Sequence, residues 1–321
     1  MAKNQSLYPL KFYPQLKEKV WGGNKLASLL GKEAKGKIGE SWELSGVKEN
    51  VSTVANGSLK GENLLVLIEN FKEALLGNKV VAQYGLEFPL LFKFIDAKED
   101  LSVQLHPNDT MAKERHNSFG KTEMWYIQQA EEEARLILGF NQDINKEKYL
   151  KTLSEGKITQ ILHAEKVRKG DAFFIAPGTV HAIGAGILLA EIQQTSDITY
   201  RIYDWDRPDV DGTMRELHTD LALDIISFEE PKAKITYSAS ENEATLLCKS
   251  PYFETNIVKL SKSIRRDISK IDSFIVYMCV EGTAVIHGEE IALGQTLLIP
   301  AVFEEINITT QDATLLEVYI P

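Results

Sequence analysis

Gln104 and His106 stand two residues apart in S-V-Q-L-H-P (Ser102 to Pro107), and Lys121 and Glu123 repeat that spacing in K-T-E-M-W. On a β-strand, side chains at i and i+2 leave the same face, so each pair would project together. His181 follows a Pro-Gly turn in A-P-G-T-V-H-A-I (Ala176 to Ile183) and would open a further strand. Two imidazoles, one carboxylate and one amide oxygen make a suitable ligand set for Zn²⁺ or Fe²⁺. Neither cysteine, Cys248 or Cys279, is close enough in sequence to suggest a thiolate ligand. Each pair alone is weak evidence. On three short strand-like segments together they predict a metal centre inside a β-barrel.

The elements that must hold these residues come from a chain of 321 residues, for which two domains are the natural prior. A hydrophobic content of 44% and a charged content of 26% suit a globular protein with a sizeable core. The formal net charge of −10 argues against nucleic acid or an anionic membrane surface as the main partner. An anionic substrate would therefore need basic residues concentrated at its pocket. The two cysteines lie in apolar surroundings and are expected to be reduced and buried. The opening M-A-K-N-Q-S-L-Y-P-L lacks the apolar run of a secretory leader, and the longest apolar runs, such as Phe274 to Val280, are too short for a bilayer. The expectation is a cytoplasmic protein.

Along the chain, Trp21-Gly22-Gly23 reads as a turn and Ile38 to Gly46 as a strand closed by glycine. Glu40 and Trp42 would share one face of that strand. Glu40 could line a pocket, although an exposed strand carboxylate is the commoner case. Apolar spacing turns helical from Asn63 to Tyr84. Pro89 to Ala97 is a mostly apolar strand with Lys93 in its middle, either an edge-strand charge reaching solvent or a cation kept for a ligand. Asn108 to Asn117 predicts a short helix whose His116 is a solvated surface residue. Leu136 to Phe140 predicts a strand, and Asp143 to Glu155 a helix with Asp143 as N-cap. His163 reads as structural, before a strand at Val167. Beyond His181, alternation puts Glu191 and Gln193 on one face, then Asp197, Thr199 and Arg201 on one face with Ile198, Tyr200 and Ile202 opposite. Glu216 to Phe228 predicts a helix with His218 at its start, and the chain changes character near Pro231.

Residues 250–321 read as short strands separated by glycine turns, an all-β sandwich or barrel. Gly294 to Ile306 echoes Gly170 to Ile183 with one inserted residue, and Glu304 then falls where His181 stands. The hairpin Glu281 to Gly288 carries no Q-x-H or K-x-E pair, and His287 reads as a surface residue. The second barrel is expected to serve structure or dimer contact rather than chemistry.

Paired jelly-roll barrels with P-G-x-x-H after a glycine-led strand resemble the cupin superfamily. The string P-L-L-F-K-F-I-D-A-K-E-D-L-S-V-Q-L-H-P, then K-T-E-M-W, V-H-A-I and R-I-Y-D-W-D-R, resembles the type I mannose-6-phosphate isomerases in their short bacterial form. The resemblance implies a mainly β protein with a small helical layer and two cupin-like jelly-roll barrels, the first alone carrying metal. It implies a catalytic domain over 1–232, with helical insertions near 58–87 and 108–118, and a C-terminal cupin-like domain over 233–321. It implies one Zn²⁺ per chain on Gln104, His106, Glu123 and His181, and phosphate or sugar contacts at Lys93, Ser102 and Lys121. The catalytic arginine would be Arg201, with an acid at Asp197, a basic residue at Arg207 and a pocket carboxylate at Glu191. Glu40 joins the substrate contacts. One departure is Ile183, where longer members carry a tyrosine.

Aldose–ketose isomerisation moves a proton between C1 and C2 through an enediolate, and the costly species is the oxyanion. Two neutral histidines, a neutral glutamine and one carboxylate leave a zinc site with a formal charge of about +1, which favours that anion. Arg201 would add a fixed positive charge, and Lys93 and Lys121 the cation density that the acidic chain otherwise lacks. Zinc-bound water, Glu191 and Lys121 are each physically able to act as base. Without Gln104 and the lysines, His106, Glu123 and His181 would equally describe a 2-His-1-carboxylate Fe(II) dioxygenase. A third reading is a non-catalytic sugar-binding cupin. The expected partner is a small sugar phosphate, mannose 6-phosphate or fructose 6-phosphate, with the protein a monomer or homodimer and neither nucleic acid nor membrane involved.

Overall fold

The computed structural model describes residues 6–321, so the first five residues of the N-terminal stretch, read above as lacking a leader, lie outside the described residues. The chain is mainly β and divides into two compact units, Leu16–Ser41 with Phe94–Ile235, and Met1–Gln15 with Trp42–Lys93 and Thr236–Pro321. In chain order its strands up to residue 235 are β1 (Gln15–Gly23), β2 (Ile38–Ser45), β3 (Leu90–Ala97), β4 (Val103–Leu105), β5 (Glu123–Ala130) and β6 (Arg135–Phe140). There follow β7 (Leu162–Lys166), β8 (Ala172–Ile175), β9 (His181–Ile183), β10 (Ile187–Gln194), β11 (Tyr200–Tyr203) and β12 (Lys234–Ile235). They make two antiparallel sheets, ordered β1-β2-β3-β10-β5-β8-β12 and β11-β4-β9-β6-β7.

Those two sheets share a core. Trp125 and Ile127 of β5, Phe173 and Ile175 of β8 and Leu189 of β10 pack with Leu136 and Leu138 of β6 and Ile183 of β9. Each fully buried leucine, isoleucine or phenylalanine there contributes about 1.5–3 kcal/mol. The other face of the smaller sheet, with Val103, Leu105, Ala182, Tyr200 and Ile202, packs on Tyr149 of the helix Lys146–Ser154 and on Ile158, Ile161 and Ala222. The period-2 alternation then fixes the direction of the residues in between. Gln104, His181 and Arg201 must turn toward the larger sheet.

In the other unit β13 (Ala244–Lys249), β14 (Glu254–Leu260), β15 (Ile264–Asp267), β16 (Ile275–Ile286), β17 (Glu289–Ala292), β18 (Thr296–Ile299) and β19 (Glu305–Tyr319) form one sheet around its own core. Two of these strands are long, at 12 and 15 residues, where short ones were expected. The β16–β17 hairpin turns at His287 and Gly288, both at positive φ, as a tight right-twisted hairpin requires. The helices Leu64–Phe71, Glu73–Leu76 and Asn78–Tyr84 belong to the same unit: Ala301 and Val302 N–H donate to the Leu75 and Ala74 carbonyls, and Asp272 accepts from Asn78 and Lys79 N–H. Glu304, the counterpart of His181, is exposed.

Several expectations need correction. Among the described residues none of the three sheets closes on itself, so the predicted barrels are not closed ones. Trp21-Gly22-Gly23 ends β1 and is no turn: a Cβ on Gly22 would meet the Gly39 nitrogen at 2.5 Å, so the glycine serves a close approach. Lys93 lies in β3, inside the sheet and only 6% exposed, which removes the edge-strand reading. The helix expected from Asp143 starts at Lys146, because Asn145 takes the cap by accepting from Lys148 N–H. His163 lies within β7, which ends before Val167. Asp197 and Thr199 precede β11 in a loop, so they do not share a strand face with Arg201. The helix after Glu216 covers only Thr219–Leu223. Cys248 and Cys279 are free and buried, and burial pushes their thiols up to about 11 and about 12. Neither is reactive. Among the described residues no helix is long and apolar enough to cross a membrane.

Candidate metal centre

Three neighbouring strands of the smaller sheet place a row of side chains. Gln104 of β4 is directly opposite His181 of β9 on one side and Arg201 of β11 on the other. Glu123 begins β5 of the facing sheet, between Gln193 of β10 and Ile175 of β8. His106 lies one residue beyond β4, and the backbone ties its segment to both others. Gly178 N–H donates to the His106 carbonyl at 2.9 Å, and Lys121 N–H to the Pro107 carbonyl at 3.0 Å. Gly178 has φ of 80°, and a Cβ there would meet the Ile225 carbonyl at 2.4 Å, so only glycine fits this turn.

These elements bring the expected ligands together. His106 Nε2 is 3.2 Å from Glu123 Oε1, and His181 Nε2 is 3.9 Å from Glu123 Oε2. Gln104 Nε2 is 3.5 Å from His181 Nε2. Ligand atoms sharing one tetrahedral zinc are roughly 3.4 Å apart, given bonds near 2.1 Å, so these separations fit a single ion. Among the described residues His106, Glu123 and His181 are the only such group, with ligand atoms all within 4.8 Å of one another. The Gln104 amide accepts from Ser102 Oγ through Oε1 at 3.2 Å. Half a turn of that amide exchanges its oxygen and nitrogen, and the Ser102 hydroxyl can pair with either.

The electrostatics suit a cation. The Nδ1 atoms of His106 and His181 donate to the Ile198 and Thr179 carbonyls, each at 2.9 Å, which leaves both Nε2 lone pairs pointing inward. Burial, then the charge of Lys121, pushes His106 down to about 3, and burial also lowers His181. Both rings are therefore neutral. Burial alone would raise the Glu123 carboxyl, but Lys121 and His106 hold it well below the usual carboxylate range. Lys121 Nζ is 3.0 Å from Glu123 Oε1, yet His106 Nε2 and both Glu123 oxygens are buried without a partner in hydrogen-bond geometry. Buried polar atoms are rarely left so. A divalent ion held by two neutral nitrogens, a carboxylate and an amide oxygen fits what these atoms lack.

The remaining candidates are distributed unevenly. Lys121 is buried against Glu123, just ahead of β5 rather than in it. Arg201 donates through Nη1 to the Glu216 carbonyl at 3.0 Å, while its Nε is buried without a hydrogen-bond partner. Burial and then Arg215 lower its pKa, but a guanidinium remains a cation. Glu191 is buried and accepts from Trp125 Nε1 at 2.9 Å. Asp197 is exposed, one residue before the carbonyl that orients His106. Arg207 donates to the Asp100 carbonyl and lies 3.3 Å from Glu99, against the segment that leads into Ser102. Glu40 is half-buried and pairs with Lys19 at 3.3 Å. Lys93 has its ammonium 5.2 Å from the Trp42 ring, in the unit that contains neither ligand pair. Ile183 is buried in the core.

Sequence reasoning missed three contributors. The Ile198 and Thr179 carbonyls fix the histidine tautomers, and backbone atoms leave no mark in residue type. Trp125 meets the His181 ring edge-on at 5.4 Å between centroids while bonding Glu191. Its place two residues after Glu123 puts it on the same face, a signal that the spacing did carry.

Residues 9–156 match the family model described as phosphomannose isomerase type I, catalytic domain. The chain is 37% identical over 300 residues to the mannose-6-phosphate isomerase ManA of Bacillus subtilis, covering 91% of this chain and 93% of that protein. It is 36% identical to the mannose-6-phosphate isomerase of Streptococcus mutans, over 91% of this chain and 92% of the relative. The crystal structure of a mannose 6-phosphate isomerase from Bacillus subtilis superposes with a TM-score of 0.88 at 32% identity, over 97% of this chain and 99% of the other. A putative mannosephosphate isomerase from Archaeoglobus fulgidus, at 22% identity and a TM-score of 0.78 over 99% of each chain, shares the fold.

Proposed function

This chain belongs to the type I phosphomannose isomerase family, and we propose on that premise that it interconverts mannose 6-phosphate and fructose 6-phosphate with a bound divalent metal. The observation that carries the metal-dependent part is the buried cluster of His106 Nε2 and the Glu123 carboxylate beside neutral His181, with Lys121 as its counter-charge. Gln104, His106, Glu123 and His181 would hold the ion, and we take it to be Zn²⁺, one per chain. Such an ion would supply Lewis-acid charge that stabilises an anionic intermediate.

The chain's own residues do the rest. Arg201, in line with Gln104 and His181, sets a permanent positive charge on the side where the enediolate oxygen becomes anionic. Lys121, 3.0 Å from Glu123, holds that carboxyl ionised as a ligand. Ser102 orients the Gln104 amide, and Arg207 stands on the same approach as a phosphate contact. Glu191, buried and accepting from Trp125, is the carboxylate we assign to receive the proton, with Asp197 on the exposed side assisting ring opening. Glu40 is retained as a peripheral contact.

The remaining parts of the proposal rest on the family and the composition. The functional division falls near residue 232, with a cupin-like catalytic part before it and a cupin-like part without ligands after it. The protein would act in the cytoplasm as a monomer or homodimer, with sugar phosphate as its partner.

The test is a coupled isomerase assay on the purified protein, with oxygen uptake after Fe²⁺ addition as the control. Conversion of mannose 6-phosphate to fructose 6-phosphate without oxygen consumption is expected. Oxygen uptake without isomerisation would replace this reading with the iron dioxygenase.

A further inference from the structure

We infer that Trp125 is a positioning residue that fixes the Glu191 carboxylate relative to the His181 ring, an inference resting on the isomerase reading above. Trp125 and Glu191 stand directly opposite each other across the β5–β10 pair, and both are buried, at 1% and 3% exposure. The indole Nε1–H donates to Glu191 Oε2 at 2.9 Å. The same ring meets His181 edge-on, with centroids 5.4 Å apart and planes at 76°. One rigid side chain therefore touches both a metal-ligand candidate and the carboxylate assigned to proton transfer.

The chemistry of the contact is one-directional. An indole N–H only donates, so the bond has a single sense, with the Glu191 oxygen as acceptor. Indole carries two side-chain torsions, and here the ring is packed among core residues, including Phe173 directly across β8. The carboxylate thus cannot leave this position without giving up a donor that the core holds in place. A displacement of about 1 Å in a proton-transfer group costs on the order of 100-fold in rate. Trp125 touches neither substrate nor metal in this account, and acts through its two neighbours.

The experiment compares wild type, Trp125→Phe, Glu191→Gln and the double variant, with kcat, KM, metal content and thermal midpoint measured for each. A further variant carries the benzothiophene isostere of tryptophan at position 125, which removes the N–H and keeps the ring. Both Trp125 replacements are expected to keep metal and KM while kcat falls about 10- to 100-fold. The double variant should be no slower than Glu191→Gln alone, the signature of one residue acting through the other. The indole N–H resonance of Trp125 should exchange slowly in the wild type and move in Glu191→Gln. Multiplicative losses in the double variant, an unchanged kcat in the isostere, or an indole resonance indifferent to Glu191→Gln would overturn the inference. Absence of isomerase turnover in the wild type would sink the functional reading instead, and the resonance measurement would still decide the Trp125–Glu191 contact.

Discussion

Arg201 lies directly opposite Gln104 across the β4–β11 pair, and Gln104 in turn faces His181 across β4–β9. Paired residues of antiparallel strands point to one face with their Cβ atoms about 5 Å apart. A guanidinium is therefore built into the same row as two ligand candidates by sheet register alone. In the proposed reaction this arrangement would separate two jobs: the ligands would hold the ion, and Arg201 would supply charge beside it.

That separation is testable by substitution. Arg201→Ala should retain one metal per chain and lose kcat by about 100- to 1,000-fold, the usual cost of removing one preorganised charge from an oxyanion site. Elemental analysis and steady-state kinetics on the same sample check it. Loss of metal in this variant would show that Arg201 supports the ligands rather than the reaction.

Removing a ligand should act on metal and turnover together. His181→Ala and Glu123→Ala are each expected to abolish both. Glu123→Ala should in addition destabilise the fold by roughly 3–5 kcal/mol, because it leaves Lys121 buried without its counter-charge. Chemical denaturation of the metal-free proteins separates the two variants. Equal stability would mean that Lys121 finds another partner.

Acid should destabilise the metal-free protein. His106 binds its proton near pH 3 when folded and near 6.5 when unfolded, so between these values the unfolded chain holds more protons. Stability from this group is present above pH 6.5 and is lost as the pH falls toward 3. Glu123, held below its ordinary 4.5, adds a loss of the same sign below that pH. The denaturation midpoint of chelated wild type should fall between pH 7.5 and 5.5, and fall less in His106→Gln. A midpoint that rises on acidification would contradict the neutral-histidine picture.

The unit that ends the chain carries a buried charge of its own. Glu317 is fully buried, with Arg266 at 2.5 Å, Tyr277 at 2.5 Å and Asn256 at 3.4 Å. Arg266→Met would strand that carboxylate at a cost of about 3 kcal/mol, the lower end for buried pairs because the arginine is partly exposed. The thermal midpoint should drop by roughly 6–12 °C, with metal content unchanged. Calorimetry and elemental analysis read both.

Much of the metal site was legible because ligand chemistry and strand period leave marks in residue type. Q-x-H at the end of β4 and the histidine after Pro-Gly needed only period 2 and a turn signal. Other features depended on distant partners. Lys93 read as a candidate edge charge because nothing local reveals that β3 has strands on both sides. Asp143 lost the cap to Asn145, two residues away and equally able to accept. The run through Asp197 and Arg201 alternates as a strand would, yet only residues 200–203 find a partner strand. The Trp125–Glu191 bond joins residues 66 apart, so it waited on the register of β5 and β10.

If Gln104, His106, Glu123 and His181 converge on one divalent ion, the sugar phosphate is not isomerised without it. Titrating chelated protein with Zn²⁺ while following mannose 6-phosphate turnover tests it most directly. Activity should rise linearly and stop at one equivalent per chain. Full turnover before any metal is added, or a rise that ignores stoichiometry, would contradict it.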